Sequence, residues 1–502
     1  MSSFGTAILG QTFSREWWST HAGVESQQRL KKDFDDLVTS PSRRHTNLPH
    51  PFVDRRKTMA DDGPKEGEVL FCGMTDWKMI GRGKTDNEDQ YPNIIEPTRI
   101  ATLKGISIAK VCGGSATSMC MVIATDGRVF TWGRNETGQL GLGDVDNRSA
   151  PTEVKALAGI KVVDGACGKS HTVVVTADGN AYAWGSNKHG QLGVGSIART
   201  KPKEDDNRLA PVQCSVSACT AVSCGAEFTM WICGDDGRLL SAGLPQYGQL
   251  GHGTDGEYNM ATSSVKLAYE AQPQPLVISA LVGRKITKVA SGHNHTIAVD
   301  AEGRFHTWGF GGYGRLGHKV QKDEWTPKMV EIQGGDRNLC PADCVVAAGQ
   351  TTSWVTALMG QMYCFGRLKT TGDNTMYPVP FMDLQGWNLR SVACGATTYA
   401  ACGEDQAITW GQGGGNGELG YGPDGPKSSA NPKLVDSLGQ KHVIQVACGV
   451  GHTLFLIKPS DAEGLPEWEP PADVPTPAAP GGKKRTSAAP KKGAPAAKKG
   501  KK

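Results

Sequence analysis

Four constellations in this chain carry residue types that do chemistry. Gly309-Phe310-Gly311-Gly312-Tyr313-Gly314 has the spacing of a dinucleotide-binding turn, where glycines let backbone approach a pyrophosphate. His293-Asn294-His295 sets two imidazoles one residue apart, a pattern that can ligate a metal or move protons. Cys340-Pro341-Ala342-Asp343-Cys344 places two thiols at metal-knuckle distance. The segment from Lys483 to Lys502 holds nine Lys or Arg and no acid, a composition that attracts polyanions.

Three of the four lose their chemistry in context. A dinucleotide turn must open a helix, but here the chain continues Arg315-Leu316-Gly317-His318. That text is equivalent to Gln139-Leu140-Gly141, Gln191-Leu192-Gly193 and Gln249-Leu250-Gly251, so it reads as a repeated turn. His295 has equivalents in His171 and His452, and such repeated imidazoles are expected to hydrogen-bond backbone within their own units. His293 has no counterpart. No second ligand pair follows Cys340 and Cys344 at zinc-like spacing. No Ser-His-Asp, paired-carboxylate or Cys-His arrangement is readable, so neither a metal, a cofactor nor covalent catalysis is expected.

The repeat itself is the stronger signal. Aromatic-Trp-Gly, or a relative of it, occurs seven times, ending at Gly73, Gly133, Gly185, Gly243, Gly309, Gly366 and Gly411. Cys-Gly-x-x-His-Thr, or a relative, alternates with it, anchored at Gly113, Gly168, Gly225, Gly292, Gly349, Gly395 and Gly449. A period near 50 residues marks a solenoid, propeller or array. Within a unit, His171-Thr172-Val173-Val174-Val175-Thr176 reads as a buried strand, Ala177-Asp178-Gly179-Asn180 as a tight turn, and Ala181-Tyr182-Ala183-Trp184-Gly185 as the return strand. Radial packing of such hairpins leaves only short, protected edges. The series opens with an unpaired return strand, Val69 to Gly73, and ends with an unpaired outgoing strand, His452 to Ile457. Each supplies what the other lacks. The expected fold is therefore an all-β, seven-bladed propeller over residues 68–458, its last blade closed by the amino-terminal strand.

The dipeptides inside Gly-x-x-His vary: Lys169-Ser170, Ala226-Glu227, His293-Asn294, Gln350-Thr351, Ala396-Thr397 and Val450-Gly451. They belong to loops that a propeller gathers on one face, and variable residues on a fixed frame are where binding is expected. Of the 14 cysteines, Cys112, Cys167, Cys224, Cys394 and Cys448 occupy one position per unit and point the same way. They read as small buried thiols in a reducing compartment rather than as disulfide partners.

Residues 1–67 carry no repeat motif; Phe13 to Trp18 is their most interaction-like piece, and Met59 is an alternative start. Residues 459–502 read as a Pro-rich linker, from Pro466 to Pro480, and a disordered basic tail. Removing the tail's nine cations from the total of 54 leaves 45 against 50 acids, so a net charge of +4 conceals an acidic body and a basic arm. That arm, Lys483, Lys484, Arg485, Lys491, Lys492, Lys498, Lys499, Lys501 and Lys502, is expected to meet DNA, RNA, the microtubule surface or an anionic membrane. No apolar run of about 18 residues could span a membrane.

The combination of Cys-Gly-x-x-His-Thr, Asp-Gly, Trp-Gly and Gly-Gln-Leu-Gly, reused around the chain, resembles the regulator of chromosome condensation family over residues 68–458. Thr75-Asp76-Trp77, Cys224 to Phe228, Gly309 to His318, Thr375 to Pro378 and Glu418 to Gly422 are similar to its second, telophase-disc branch, as is the long connection from Gly253 to Arg284. The resemblance implies a propeller that binds a small GTPase of Rho, Ral or Ran type and acts as its nucleotide exchange factor. It implies association with chromosomes or microtubules during division, and residence in nucleus and cytoplasm. The family's exchange residues map onto Lys169, Ser170, Glu227, His293, Asn294 and His452. Lys169 and a single Glu227 depart from the founding member's acidic pair, which turns the expectation from Ran toward Rho or Ral. A basic segment at the carboxyl end departs from the second branch, as does Arg367-Leu368-Lys369-Thr370-Thr371-Gly372 in place of Gly-Gln-Leu-Gly. The competing expectation is a scaffold that binds partners through the propeller faces without exchange.

Overall fold

Two glycine motifs and a β-branched run make a hairpin in each unit, and a strand on either side completes a four-stranded antiparallel sheet. The computed structural model describes residues 66–473 apart from 85–86, 199–204, 333–338, 358–359, 370–371 and 414. The amino-terminal extension up to residue 65 and the basic residues from Lys483 to Lys502 lie outside the described residues.

Seven such sheets follow one another. In blade 2 the strands run, from inside out, Val162–Cys167, His171–Thr176, Ala181–Ser186 and Asn207–Gln213. Blade 4 repeats the plan with Ile286–Ser291, His295–Asp300, Phe305–Gly309 and Glu324–Met329. The second strand of every complete hairpin is buried along its whole length, as in His171–Thr176 and His295–Asp300. Neighbouring blades cover both faces of that strand, so its residues read as a continuous apolar run instead of an alternating one. Outer strands are half-exposed and carry proline, such as Pro151, Pro211 and Pro327, which removes a donor from an edge that could pair with another chain.

Blade 7 is assembled from both ends of the repeat region. Its order is Val443–Cys448, His452–Ile457, Glu68–Gly73 and Ile94–Ile100. Glu68 to Gly73 pairs residue for residue with Ile457 to His452, which is the expected closure, and Ile94–Ile100 adds a second amino-terminal strand. Past Ile457 the chain stays on the blade. Glu467–Trp468 pairs in parallel with Arg99 and Ile100, and the Trp468 ring stacks on Phe71 at 5.8 Å. The linker read from Pro466 thus starts within the sheet. Asp473 then accepts from the Ser149 amide of blade 1 at 2.6 Å.

The blades are locked sideways by the repeat motifs. The Trp184 indole donates to the Gln139 carbonyl of the previous blade at 2.8 Å, and Trp308 donates to Gln249 at 2.9 Å. All 14 cysteines are free and buried. Burial pushes the Cys112, Cys224 and Cys448 thiols up to about 12, so they stay neutral.

Candidate functional site

The connection between the first and second strands of a blade and that between the third and fourth emerge on the same face, because the strands alternate direction. This face therefore carries every Gly-x-x-His loop at its centre and every Gly-Gln-Leu-Gly loop at its rim. The central opening is lined by Ser115, Lys169, Ser170, His293, Gln350, Ala396 and Val450, one or two residues from each of six blades.

The loops have their shape for a local reason. An added Cβ at Gly168 would fall 2.1 Å from the His171 ring, so the glycine is the floor on which the imidazole lies. The His171 imidazole reaches across to Thr229 of blade 3 at 3.0 Å, and His295 reaches Ser353 of blade 5 at 2.9 Å. Thr229 in turn donates to the Gln191 carbonyl at 2.8 Å, and Ser353 to that of Arg315 at 2.7 Å. A hydroxyl that already donates must accept from the ring, which places the proton on Nε2 of each histidine. The expected within-blade backbone bonds are thus corrected: these imidazoles are inter-blade rivets ending on side-chain hydroxyls. Burial lowers His171 to about 3 and His295 well below its usual value.

His452 differs. It is only 1% exposed, and neither ring nitrogen has a partner among the described residues. The residue of blade 1 in register with Thr229 and Ser353 is Cys120. The ring packs instead against Phe71, at 6.2 Å, and edge-on to Trp77, at 5.7 Å. His452 therefore belongs to the blade interior and is not presented on the loop face.

The other sequence-derived residues do come together. Lys169 Nζ lies 3.9 Å from Glu227 Oε1, and His189 Nε2 lies 3.4 Å from Glu227 Oε2. His189 carries no site signal in the sequence, because it sits in the rim turn of blade 2, just before Gly190-Gln191-Leu192-Gly193, and not in a Gly-x-x-His loop. His293 is half-buried, its Nδ1 has no hydrogen-bond partner among the described residues, and burial together with Lys169 and Arg315 lowers its pKa. His293 and Asn294 also form one wall of a second recess, of about 470 Å³, under the rim of blades 4 to 6. Arg134 guards the far side of the centre, donating to the Trp77 carbonyl at 3.1 Å.

From the blade 3 rim projects a small hairpin, Glu257–Asn259 paired with Leu267–Tyr269, with Tyr258, Met260, Val265 and Leu267 exposed. It lies on the loop face because it interrupts the third-to-fourth-strand connection. Among the described residues no group of three His, Cys, Asp or Glu could hold a metal. The face carries a charged centre, a basic recess and an apolar projection.

Comparison with known proteins matches this architecture. The family model described as the regulator of chromosome condensation (RCC1) repeat covers residues 126–175, 178–232, 236–299, 302–353 and 404–456. The chain is 35% identical over 451 residues to Protein RCC2 of Mus musculus, covering 84% of each. It is 34% identical over 451 residues to Protein RCC2 of Homo sapiens, covering 84% of this chain and 83% of that protein. The solved structure of Prp20p from Saccharomyces cerevisiae, described with its binding to Gsp1p and histones, superimposes with TM-score 0.61 at 18% identity, over 80% of this chain and 94% of that one. Human WBSCR16 superimposes with TM-score 0.64 at 19% identity, over 78% and 99%.

Proposed function

The chain belongs to the regulator of chromosome condensation repeat family, and from that premise we propose that its loop face binds a small GTPase and speeds release of the bound nucleotide. The observation that carries this is the convergence of non-repeating residues on a repeating frame. Lys169, Ser170, Glu227, His293 and Asn294 reach one face from three blades, with the apolar hairpin of blade 3 at its rim. Exchange needs no covalent step. A face that holds the nucleotide-free GTPase better than the loaded one shifts the equilibrium by that difference in affinity. Lys169 and a single Glu227, which is shared with His189, depart from the founding member's acidic pair, and on that ground Rho and Ral types are named ahead of Ran. The basic arm from Lys483 to Lys502 tethers the propeller to chromatin, microtubules or another polyanion, which sets its place in nucleus or cytoplasm.

The test is release of fluorescent GDP from Ran, Rho, Ral and Arf family members with the full chain added. Acceleration of one member, abolished by Glu227→Lys, supports exchange. Equal binding of loaded and empty forms, with no acceleration, supports a scaffold instead. One observation favours that second reading: His452, which the resemblance places among the exchange residues, is sealed in the interior.

A further inference from the structure

We infer that the recess under the rim of blades 4 to 6 seats an acidic side chain, an Asp or Glu flanked by an apolar residue, carried by the protein that docks on the loop face. The inference rests on the loop-face reading above and adds the chemistry of one contact.

Its lining contains four basic residues, His293, Arg315, Arg367 and Lys369, and no carboxylate is among the described residues that line it. Arg315 is the built part. It is 3% exposed, donates through Nε to the Gly312 carbonyl at 2.9 Å, and also donates to the Gln350 carbonyl of the next blade. In four other blades the equivalent residue is Gln139, Gln191, Gln249 or Glu418, whose side-chain oxygen accepts an amide of its own turn. An arginine cannot accept, so blade 4 places a cation where those turns place an acceptor. Burial lowers Arg315 to about 10, which leaves it charged at neutral pH. Asp323 also acts on its charge, and the Asp323 carboxylate accepts the Gly311 amide at 2.8 Å.

Aromatic rings frame the charge. The Arg315 guanidinium lies 4.6 Å from the Phe310 ring centre and 5.4 Å from that of Tyr313, and that of Arg367 lies 5.1 Å from Tyr313. Tyr313 holds φ at +63°, a left-handed conformation that costs a non-glycine residue about 1 kcal/mol or more. Lys319 in the same connection is likewise held, at +67°, and Tyr313 stays partly exposed at the mouth. Strain of this kind is kept where it presents a side chain. Planar guanidinium groups bind carboxylate or phosphate through parallel hydrogen bonds, and the surface of a docking protein supplies carboxylates. Leu368 and Phe310 offer apolar surface beside it. The segment Arg367 to Lys369, which departs from Gly-Gln-Leu-Gly, thus acquires a reason: it supplies the second cationic wall.

The test uses the full chain bound to whichever nucleotide-free GTPase of the panel it holds. A carbodiimide joins a carboxylate to an amine in contact, so an amide between Lys369 and an Asp or Glu of the GTPase, mapped by mass spectrometry, is expected. Arg367→Glu with Lys369→Glu should weaken binding about tenfold or more, whereas Lys155→Glu, on the opposite face, should not. Binding that survives the double substitution with no Lys369 cross-link overturns the inference and leaves the loop-face reading intact. If no GTPase binds, that reading fails and the recess is tested alone. Phenylglyoxal modification of Arg367 should then slow in the presence of N-acetyl-Leu-Glu-Leu amide and not of its Gln analogue. Absence of that protection, or equal protection by inorganic phosphate, overturns the carboxylate assignment.

Discussion

Blades 2 and 7 use the same motif to opposite effect. Blade 2 is one continuous stretch, and its His171 crosses the seam to a threonine hydroxyl in blade 3. Blade 7 is stitched from the two ends of the repeat region, and its His452 meets a seam where blade 1 offers Cys120 in that register. Its imidazole is surrounded instead by Phe71 and Trp77, with Trp468 stacked beyond Phe71. The contrast teaches that the seams after blades 2 and 4 carry an imidazole–hydroxyl rivet, while the closing seam sets its imidazole among aromatic rings and keeps other hydrogen bonds, such as that from the Val111 amide to Gln445 at 3.1 Å. A chain end can add a strand and a ring to a blade.

The comparison breaks most visibly when closure is removed. Deleting residues 1–73 strips Glu68–Gly73 from blade 7 and leaves His452–Ile457 with an open edge. The cost should exceed about 5 kcal/mol, comparable with the whole stability of a domain, and cooperative unfolding followed by circular dichroism should be lost. Phe71→Ala tests the same seam by one side chain, with an expected loss of about 3–5 kcal/mol in denaturant unfolding.

The riveted seam answers to smaller changes. Thr229→Val removes the acceptor of His171 and should cost about 1–3 kcal/mol, since a buried donor is left unpaired. A cost equal to that of a surface substitution would show that the rivet carries no stability.

Acid should loosen both seams alike. Folded His171 sits at about 3 and His452 at about 4, both below the usual 6.5, and burial is the leading cause in each. Above pH 6.5 neither folded nor unfolded histidine binds a proton, so full stability is present. As the pH falls from there toward the folded values, the unfolded chain takes up protons that the folded chain refuses. Stability then drops by roughly 1.4 kcal/mol per pH unit per histidine. Denaturant midpoints across this range should give a shallower slope for His171→Asn than for the parent, and an unchanged slope would refute the assignment.

The gentlest change sharpens the contrast by abolishing it. Cys120→Ser gives blade 1 the hydroxyl that blades 3 and 5 already possess, and should stabilise the closing seam by about 1 kcal/mol. A destabilisation in thermal unfolding would mean that the His452 ring cannot turn toward that register.

Much of this was legible because a repeat makes its own alignment. Gly168, Gly292 and Gly449 announced equivalent loops, and the orphan strands at Val69 and His452 announced each other. The Asp-Gly turn and the β-branched run between them specify the hairpin without reference to packing. The site was half legible. Lys169, Glu227 and His293 stood out as residues that break a pattern on a face that the topology supplies. His189 and Arg315 did not, since each lies in a turn whose repeat position suggested structure alone. His452 shares its motif position with His171 and His295, but its neighbours in space differ from theirs.

The sequence by itself determined blade number, hairpin geometry and the closure of the ring, because those follow from local propensity and from counting strands. The tertiary structure decided which charges meet, which histidines find a hydroxyl and where four basic residues surround one recess. The Lys169–Glu227 and His171–Thr229 contacts each join residues 58 positions apart, set by how adjacent blades pack against each other, and no local preference encodes that distance.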